Sequence, residues 1–137
     1  MSTKIYTAEV TATGGRDGAV KSSDGIIDFK VNKPVEMGGK GESTNPEQLF
    51  AAAWSSCFLG AIAAVGEKDQ IDLKDATVTA KVTFNQEDNS FYISAELEVH
   101  IPSLSAEETQ KIANKAHQVC PYSKATRGNV ETKVSAV

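Results

Sequence analysis

Two cysteines carry the most reactive chemistry available to this chain. Cys57 lies in AAAWSSCFL and Cys120, 63 residues later, lies in HQVCPYSKA; there are no others. In a reducing compartment two cysteines rarely form a permanent staple, which leaves catalysis, redox sensing, metal binding or plain burial. A free cysteine on an apolar helix is commonly a packed core residue. A reactive one needs its thiolate stabilised by nearby positive charge or helix-end dipoles. The neighbours Trp54, Ser55, Ser56, Phe58 and Leu59 supply no charge, so any cation acting on Cys57 must come from elsewhere in the fold.

Arg16, in the glycine-flanked turn GGRDG, is one such cation, although a turn arginine can equally face water. Glu47 is ambiguous in the same way, because a carboxylate in the first turn of a helix is already accounted for by the helix dipole. Cys120 sits between a helix end and Pro121, where a small backbone shift could bring sulfur to sulfur or where a half-buried thiol could simply close the helix. His117 and Cys120 stand three residues apart, but two histidines and two cysteines without paired ligand spacing are a weak zinc signal, and no metal site is expected. His100 shares the polar side of its strand with Glu96 and Glu98 and is expected to be solvated. The sequence contains no C-x-x-C, phosphate-binding glycine loop or Gly-x-Ser-x-Gly elbow, which argues against thioredoxin-type, nucleotide-binding and serine-hydrolase chemistry.

The elements that must position these residues read as a single domain over 1–137. A chain of this length buries an ordinary core unaided. With a net charge of −4, an isoelectric point near 5.2 and scattered basic residues, neither nucleic acid nor an anionic membrane is an expected partner. With no apolar leader in MSTKIYTAEV and no run read as approaching the length of a spanning helix, a cytoplasmic location is expected. Period-two alternation at Tyr6, Val10 and Ala12, the GGRDG turn, Val20 and IIDFKV indicate short strands. MGGKGES reads as a loop. TNPEQLF opens a helix, with Thr44 or Asn45 as N-cap and Pro46 at its first position. Leu49 to Val65 is apolar or small almost all round, which predicts burial on most faces. Two alternating strands, Ala76 to Phe84 and Phe91 to Ile101, form a hairpin around NQEDNS. Ser105 and Glu108 match the capping box of a second helix that must stop near Cys120, and Gly128–Asn129 turns into a last strand. Runs of strands and runs of helices predict an α+β fold with antiparallel sheet.

The stretches ATGGRDGAV, EMGGKGESTNPEQLFAAAWSSCF and VCPYSKATRGNV together resemble the organic hydroperoxide resistance branch of the Ohr/OsmC family, from end to end of the chain. The resemblance implies antiparallel sheets wrapped around long central helices in an intertwined homodimer. It implies a peroxidatic role for Cys57, a resolving role for Cys120, an activating role for Arg16 and an arginine-holding role for Glu47. It also implies a peroxiredoxin-like, lipoamide-dependent activity with no bound cofactor, in which a dithiol such as dihydrolipoamide or a lipoylated protein resets the disulfide. An apolar surround of Phe50, Trp54, Phe58 and Met37 would then suit organic hydroperoxides better than hydrogen peroxide.

The competing expectation is a non-catalytic dimeric stress protein that binds a hydrophobic ligand. Geometry adds one further expectation. Ten residues of helix separate Glu47 from Cys57 by about 15 Å along the axis, so either the helix breaks between them or Arg16 and Glu47 of one subunit serve Cys57 of another. The nearly all-round apolar helix favours the second, and a shared site at a large, apolar, obligate dimer interface is expected.

Overall fold

The computed structural model describes residues 1–137. The chain divides into two compact units, Met1–Leu49 and Phe50–Val137. In the first, β1 (Val10–Thr13), β2 (Gly18–Ser22) and β3 (Asp28–Val31) form an antiparallel sheet in that order. Tyr6, expected within the first strand, precedes it and is exposed. Thr13 pairs with Ala19, so residues 14–18 must reverse the chain in a very small space. Only glycine fits at 18, because a Cβ there would overlap the carbonyl oxygen of Thr13. The glycine-rich loop begins with one 3-10 turn at Val35–Met37, which the sequence pattern did not signal.

The helix α1 (Pro46–Lys68) starts where expected. Of the two candidate caps the structure uses Asn45: its Oδ1 accepts the backbone N–H of Gln48 at 2.9 Å, while Thr44 donates its hydroxyl to the Gln48 side chain at 3.0 Å. A backbone bond from Asn32 N–H to the Thr44 carbonyl, 3.0 Å, ties this cap to the end of β3. The helix is continuous through Ser55 and Ser56, whose hydroxyls return to the carbonyl of Ala52 rather than interrupting the ladder.

In the second unit, β4 (Thr77–Glu87) and β5 (Ser90–His100) form the hairpin, with only residues 88–89 between them, and Asp88 takes a left-handed conformation with φ 53°. The helix α2 (Ala106–Val119) opens on a complete capping box, Ser105 Oγ accepting from Glu108 N–H and the Glu108 carboxylate accepting from Ser105 N–H. It ends at Cys120, as the following proline requires. PYSKAT then forms a separate short helix, α3 (Pro121–Thr126), with Pro121 at its first turn. The last strand, β6 (Thr132–Ala136), lies parallel to β5, so this sheet is mixed where an antiparallel one was expected. A strand reached through a helical crossover, here α2 and α3, can return parallel to its predecessor in a way a tight turn does not allow.

The core of this unit draws Trp54, Phe58 and Ile62 from successive turns of α1, Leu97 and Val99 from β5, Ile101 just beyond it, and Ile112, Ala113 and Ala116 from α2. By length and composition α1 could span a bilayer, contrary to the sequence expectation, but its large residues face this core. Burial on most faces is not realised within the chain. Ala52, Ser56, Gly60, Ala63 and Ala64 stay exposed, since one sheet covers only one side of a helix. The single capping bond at Asn45 sets where α1 begins and hence where Glu47 is presented. Asn45→Ala is expected to destabilise the fold by about 1 kcal/mol and Asn45→Ser by much less. Thermal denaturation of both variants checks this, and equal midpoints would contradict the capping role.

Candidate active site

Arg16 and Glu47 meet in the first unit. The guanidinium donates from Nη1 to Glu47 Oε2 at 3.0 Å and from Nη2 to Oε1 at 2.8 Å, a fork-to-fork pair. The turn at Gly14–Gly15 presents the arginine and the Asn45 cap presents the glutamate, so two local features of the sequence combine to make a long-range contact. The Arg16 hydrogen bonds hold the Glu47 carboxyl below its usual range against the opposing effect of burial, and Glu47 in turn raises Arg16. Arg16 is therefore a fixed cation rather than a freely solvated turn residue. Met37 lies in the same unit at the end of the 3-10 turn, half-buried, its N–H donating to the Pro34 carbonyl.

Cys57 and Cys120 meet in the second unit. Their sulfurs stand 3.6 Å apart as thiols, with Cys120 donating toward Cys57. A disulfide is about 2.0 Å long, so bond formation requires the sulfurs to close by roughly 1.5 Å. Cys120 is fully buried rather than half-buried, and Cys57 is partly exposed. The more accessible sulfur can therefore meet a small reactant while the buried one waits behind it.

Burial pushes the Cys57 thiol above its ordinary value, the backbone N–H of Tyr122 at the start of α3 pulls it back by hydrogen bonding to the sulfur, and the neighbouring Cys120 pushes it up again. The balance in this unit favours thiol, so activation requires a cation in addition to that N–H. Among the apolar residues expected around the site, Trp54 and Phe58 are fully buried in the core and Phe50 packs edge-on against Trp54 at 5.7 Å. These side chains of α1 anchor the cysteine helix to the core. The residues on either side of the Cys120–Pro121 junction, Val119 and Tyr122, expose apolar surface that their sequence pattern did not signal.

A polar cluster beside the sulfurs was also missed. His117 Nδ1 lies 2.8 Å from Ser123 Oγ, and the Trp54 indole N–H donates to the same oxygen at 3.3 Å. The imidazole thus pairs with Ser123, six residues on. The Asn114-to-Ser123 region reads in sequence as a helix and a turn, and nothing in its spacing identifies Trp54, 69 residues from Ser123, as the third member. His100, on the exposed end of β5, places Nδ1 2.9 Å from the carbonyl of Val137.

Burial, and then the positive charge of Arg127, hold the His117 imidazole below its ordinary value near 6.5. The unfolded chain therefore binds this proton more readily than the folded one. The contribution of neutral His117 is complete above about pH 6.5 and is lost as the pH falls below that value toward its folded-state pKa. The thermal midpoint is expected to fall between pH 7.5 and pH 5.5, and His117→Asn to flatten that part of the profile. A slope unchanged in the variant would contradict this assignment.

Residues 39–135 match the OsmC-like protein family. An organic hydroperoxide resistance protein of Xanthomonas axonopodis pv. citri is 45% identical over 133 residues, covering 96% of this chain and 94% of the relative. The crystal structure of an organic hydroperoxide resistance protein from Legionella pneumophila superposes with a TM-score of 0.92 at 41% identity, covering 98% of each chain. That of OhrB from Bacillus subtilis gives 0.87 at 41% identity, covering 96% of this chain and 98% of the other. The long α1, the two three-stranded sheets and the sequence around both cysteines thus belong to a recognised architecture, and the chain is a member of the OsmC-like family, in its organic hydroperoxide resistance branch.

Proposed function

We propose that the protein is a cysteine-based peroxidase that reduces organic hydroperoxides to alcohols. The observation that carries this reading is the approach of the only two cysteine sulfurs to 3.6 Å across 63 residues of sequence. Cys57, as thiolate, attacks the outer peroxide oxygen; the O–O bond breaks, Cys57 becomes a sulfenic acid, and the departing alkoxide takes up a proton, matching the one the thiol lost, to leave as an alcohol. The Cys120 sulfur then displaces the sulfenic hydroxyl, forming a Cys57–Cys120 disulfide and water. A dithiol of the lipoyl type restores both thiols by exchange, and no bound cofactor is needed.

In this reading Arg16 supplies the positive charge that Cys57 lacks in its own unit and stabilises charge developing on the peroxide oxygens, while Glu47 holds the guanidinium in orientation. Uninterrupted helix between Glu47 and Cys57 removes the helix-break alternative. The reading therefore places Arg16 and Glu47 of one subunit at Cys57 of the other, in an obligate homodimer. Two features support such an interface: the small-residue face of α1 is uncovered within the chain, and the first unit leaves Ile5, Tyr6, Val10, Ile26 and Phe29 exposed. The setting proposed for this chemistry is cytoplasmic, with organic hydroperoxide and lipoylated protein as its partners.

Turnover of cumene hydroperoxide with dihydrolipoamide tests the activity. Wild type is expected to turn over and Cys57→Ser to be inactive. Cys120→Ser is expected to consume about one equivalent and then stall as sulfenic or higher acids. Equal inactivity of wild type and Cys57→Ser would favour a ligand-binding protein with incidental cysteines.

Co-refolding Arg16→Ala chains with Cys57→Ser chains tests the shared site separately. Each variant alone is expected to be strongly impaired, and each heterodimer to regain up to one intact site. Heterodimers that form but stay inactive would return all catalytic groups to one chain.

A further inference from the structure

Ser123 is fully buried on α3, yet its hydroxyl takes no part in the peroxide chemistry proposed above. It lies between two rings. The indole N–H of Trp54 can only donate, so Ser123 Oγ accepts it at 3.3 Å, and the hydroxyl keeps its own proton, which His117 Nδ1 at 2.8 Å accepts when that nitrogen is unprotonated. That arrangement requires a neutral imidazole with its proton on Nε2. Burial and Arg127, which disfavour protonation of His117, maintain it. Arg127 also donates to the His117 carbonyl, and Phe58 packs against the imidazole with ring centres 6.2 Å apart, so the histidine is held from both sides.

The positions of the three residues along their helices give the cluster its significance. Trp54 is one turn before Cys57 on α1, His117 one turn before Cys120 on α2, and Ser123 one turn after Cys120 on α3. Beside the sulfur pair, Trp54 to Ser123 is a buried side-chain hydrogen bond that joins α1 to the α2–α3 segment close to both cysteines, whereas the exposed Lys115–Asp69 pair ties α2 only to the residue after α1. The same segment presents the Tyr122 N–H to the Cys57 sulfur. We infer that Ser123 is a positioning residue, whose hydroxyl braces the helix carrying Cys57 against the joint carrying Cys120 and thereby sets how fast the sulfenic acid is captured as a disulfide.

This inference rests on the two-cysteine reading. Once Cys57 bears a sulfenic oxygen, two reactions compete. Cys120 can attack the Cys57 sulfur, forming S–S and breaking S–O, with the thiol proton and the departing hydroxyl leaving as water. Alternatively a second hydroperoxide can oxidise the sulfenic acid to sulfinic acid, leaving a second alcohol. The first reaction is intramolecular and gains its advantage from alignment, which an error of about 1 Å can reduce by roughly 100-fold. The brace acts on that alignment and leaves the first attack on peroxide largely to Cys57 and its cation.

Mass spectrometry of the products formed over a series of organic hydroperoxide concentrations reads the partition directly. In Ser123→Ala the concentration giving half sulfinic acid is expected to fall by about 10- to 100-fold, with consumption of the first equivalent slowed far less. Trp54→Phe removes the same donor while keeping an aromatic ring and is expected to reproduce the shift. Combining the two is expected to add little, because both delete one interaction. Thr126→Val serves as the control for general loosening. Thr126 is buried on α3, but its hydroxyl bonds only to the carbonyls of Tyr122 and Ser123, so its loss should lower thermal stability without moving the partition. A wild type that bridges, with Ser123→Ala and Trp54→Phe bridging equally well, would overturn the inference alone. So would an equal shift in Thr126→Val. A wild type that forms no bridge would overturn the two-cysteine reading and the inference with it.

Discussion

A thiol partly withdrawn from water resists ionisation, and the proposed chemistry of this fold depends on how that resistance is overcome at Cys57. Burial is the largest influence on its sulfur, and the second thiol acts in the same direction. The one favourable influence within the unit is the Tyr122 N–H, which lies in the first turn of α3, where it has no acceptor within the helix. A single backbone donor lowers a thiol's pKa less than a cation does, so the account calls on a guanidinium. Arg16 is suited to the task because Glu47 fixes both arms of its fork while leaving it charged. A lysine at position 16 could supply charge but not the two-point orientation.

The division of the chain into two units gives this arrangement a physical basis. The first unit is a three-stranded sheet and a glycine-rich loop with almost no core of its own, whereas the second has a full hydrophobic interior. A small sheet with exposed Ile5, Tyr6, Val10 and Phe29, together with a helix whose small-residue face is uncovered, leaves apolar area that a second copy of the chain would bury. Packing and chemistry thus converge on the same proposal, that the cation and the nucleophile come from different subunits.

Much of this was legible in the sequence wherever a local rule had no competitor. The Ser105–Glu108 box, the stop before Pro121, the Asn45–Pro46 start and the alternation of β5 each predicted an element correctly, because capping, proline sterics and period two act over only a few residues. The 3-10 turn at Val35–Met37 and the helix at PYSKAT were not legible. Both are a single turn or two long and depend on neighbours for their stability. The parallel placement of β6 depends on how a crossover returns to the sheet, which no window of sequence records. Cys57, Cys120, Arg16 and Glu47 stood out as candidates through their types and the family resemblance, and the structure brings them together as two pairs. The buried Trp54–Ser123–His117 cluster was missed because serine after a proline looks like ordinary turn chemistry. Composition placed Trp54 and Phe58 near Cys57, and the structure adds that both side chains are buried in the core.

The central claim is that Cys57 owes its reactivity to Arg16. The most direct measurement is the pH titration of the Cys57 thiolate by ultraviolet absorbance in Cys120→Ser protein, with Arg16 intact and with Arg16→Ala. The account predicts a Cys57 pKa well below the free-thiol value of ~8.5 when Arg16 is present, rising to that value or above it when the arginine is removed. Identical titrations in the two proteins would contradict it.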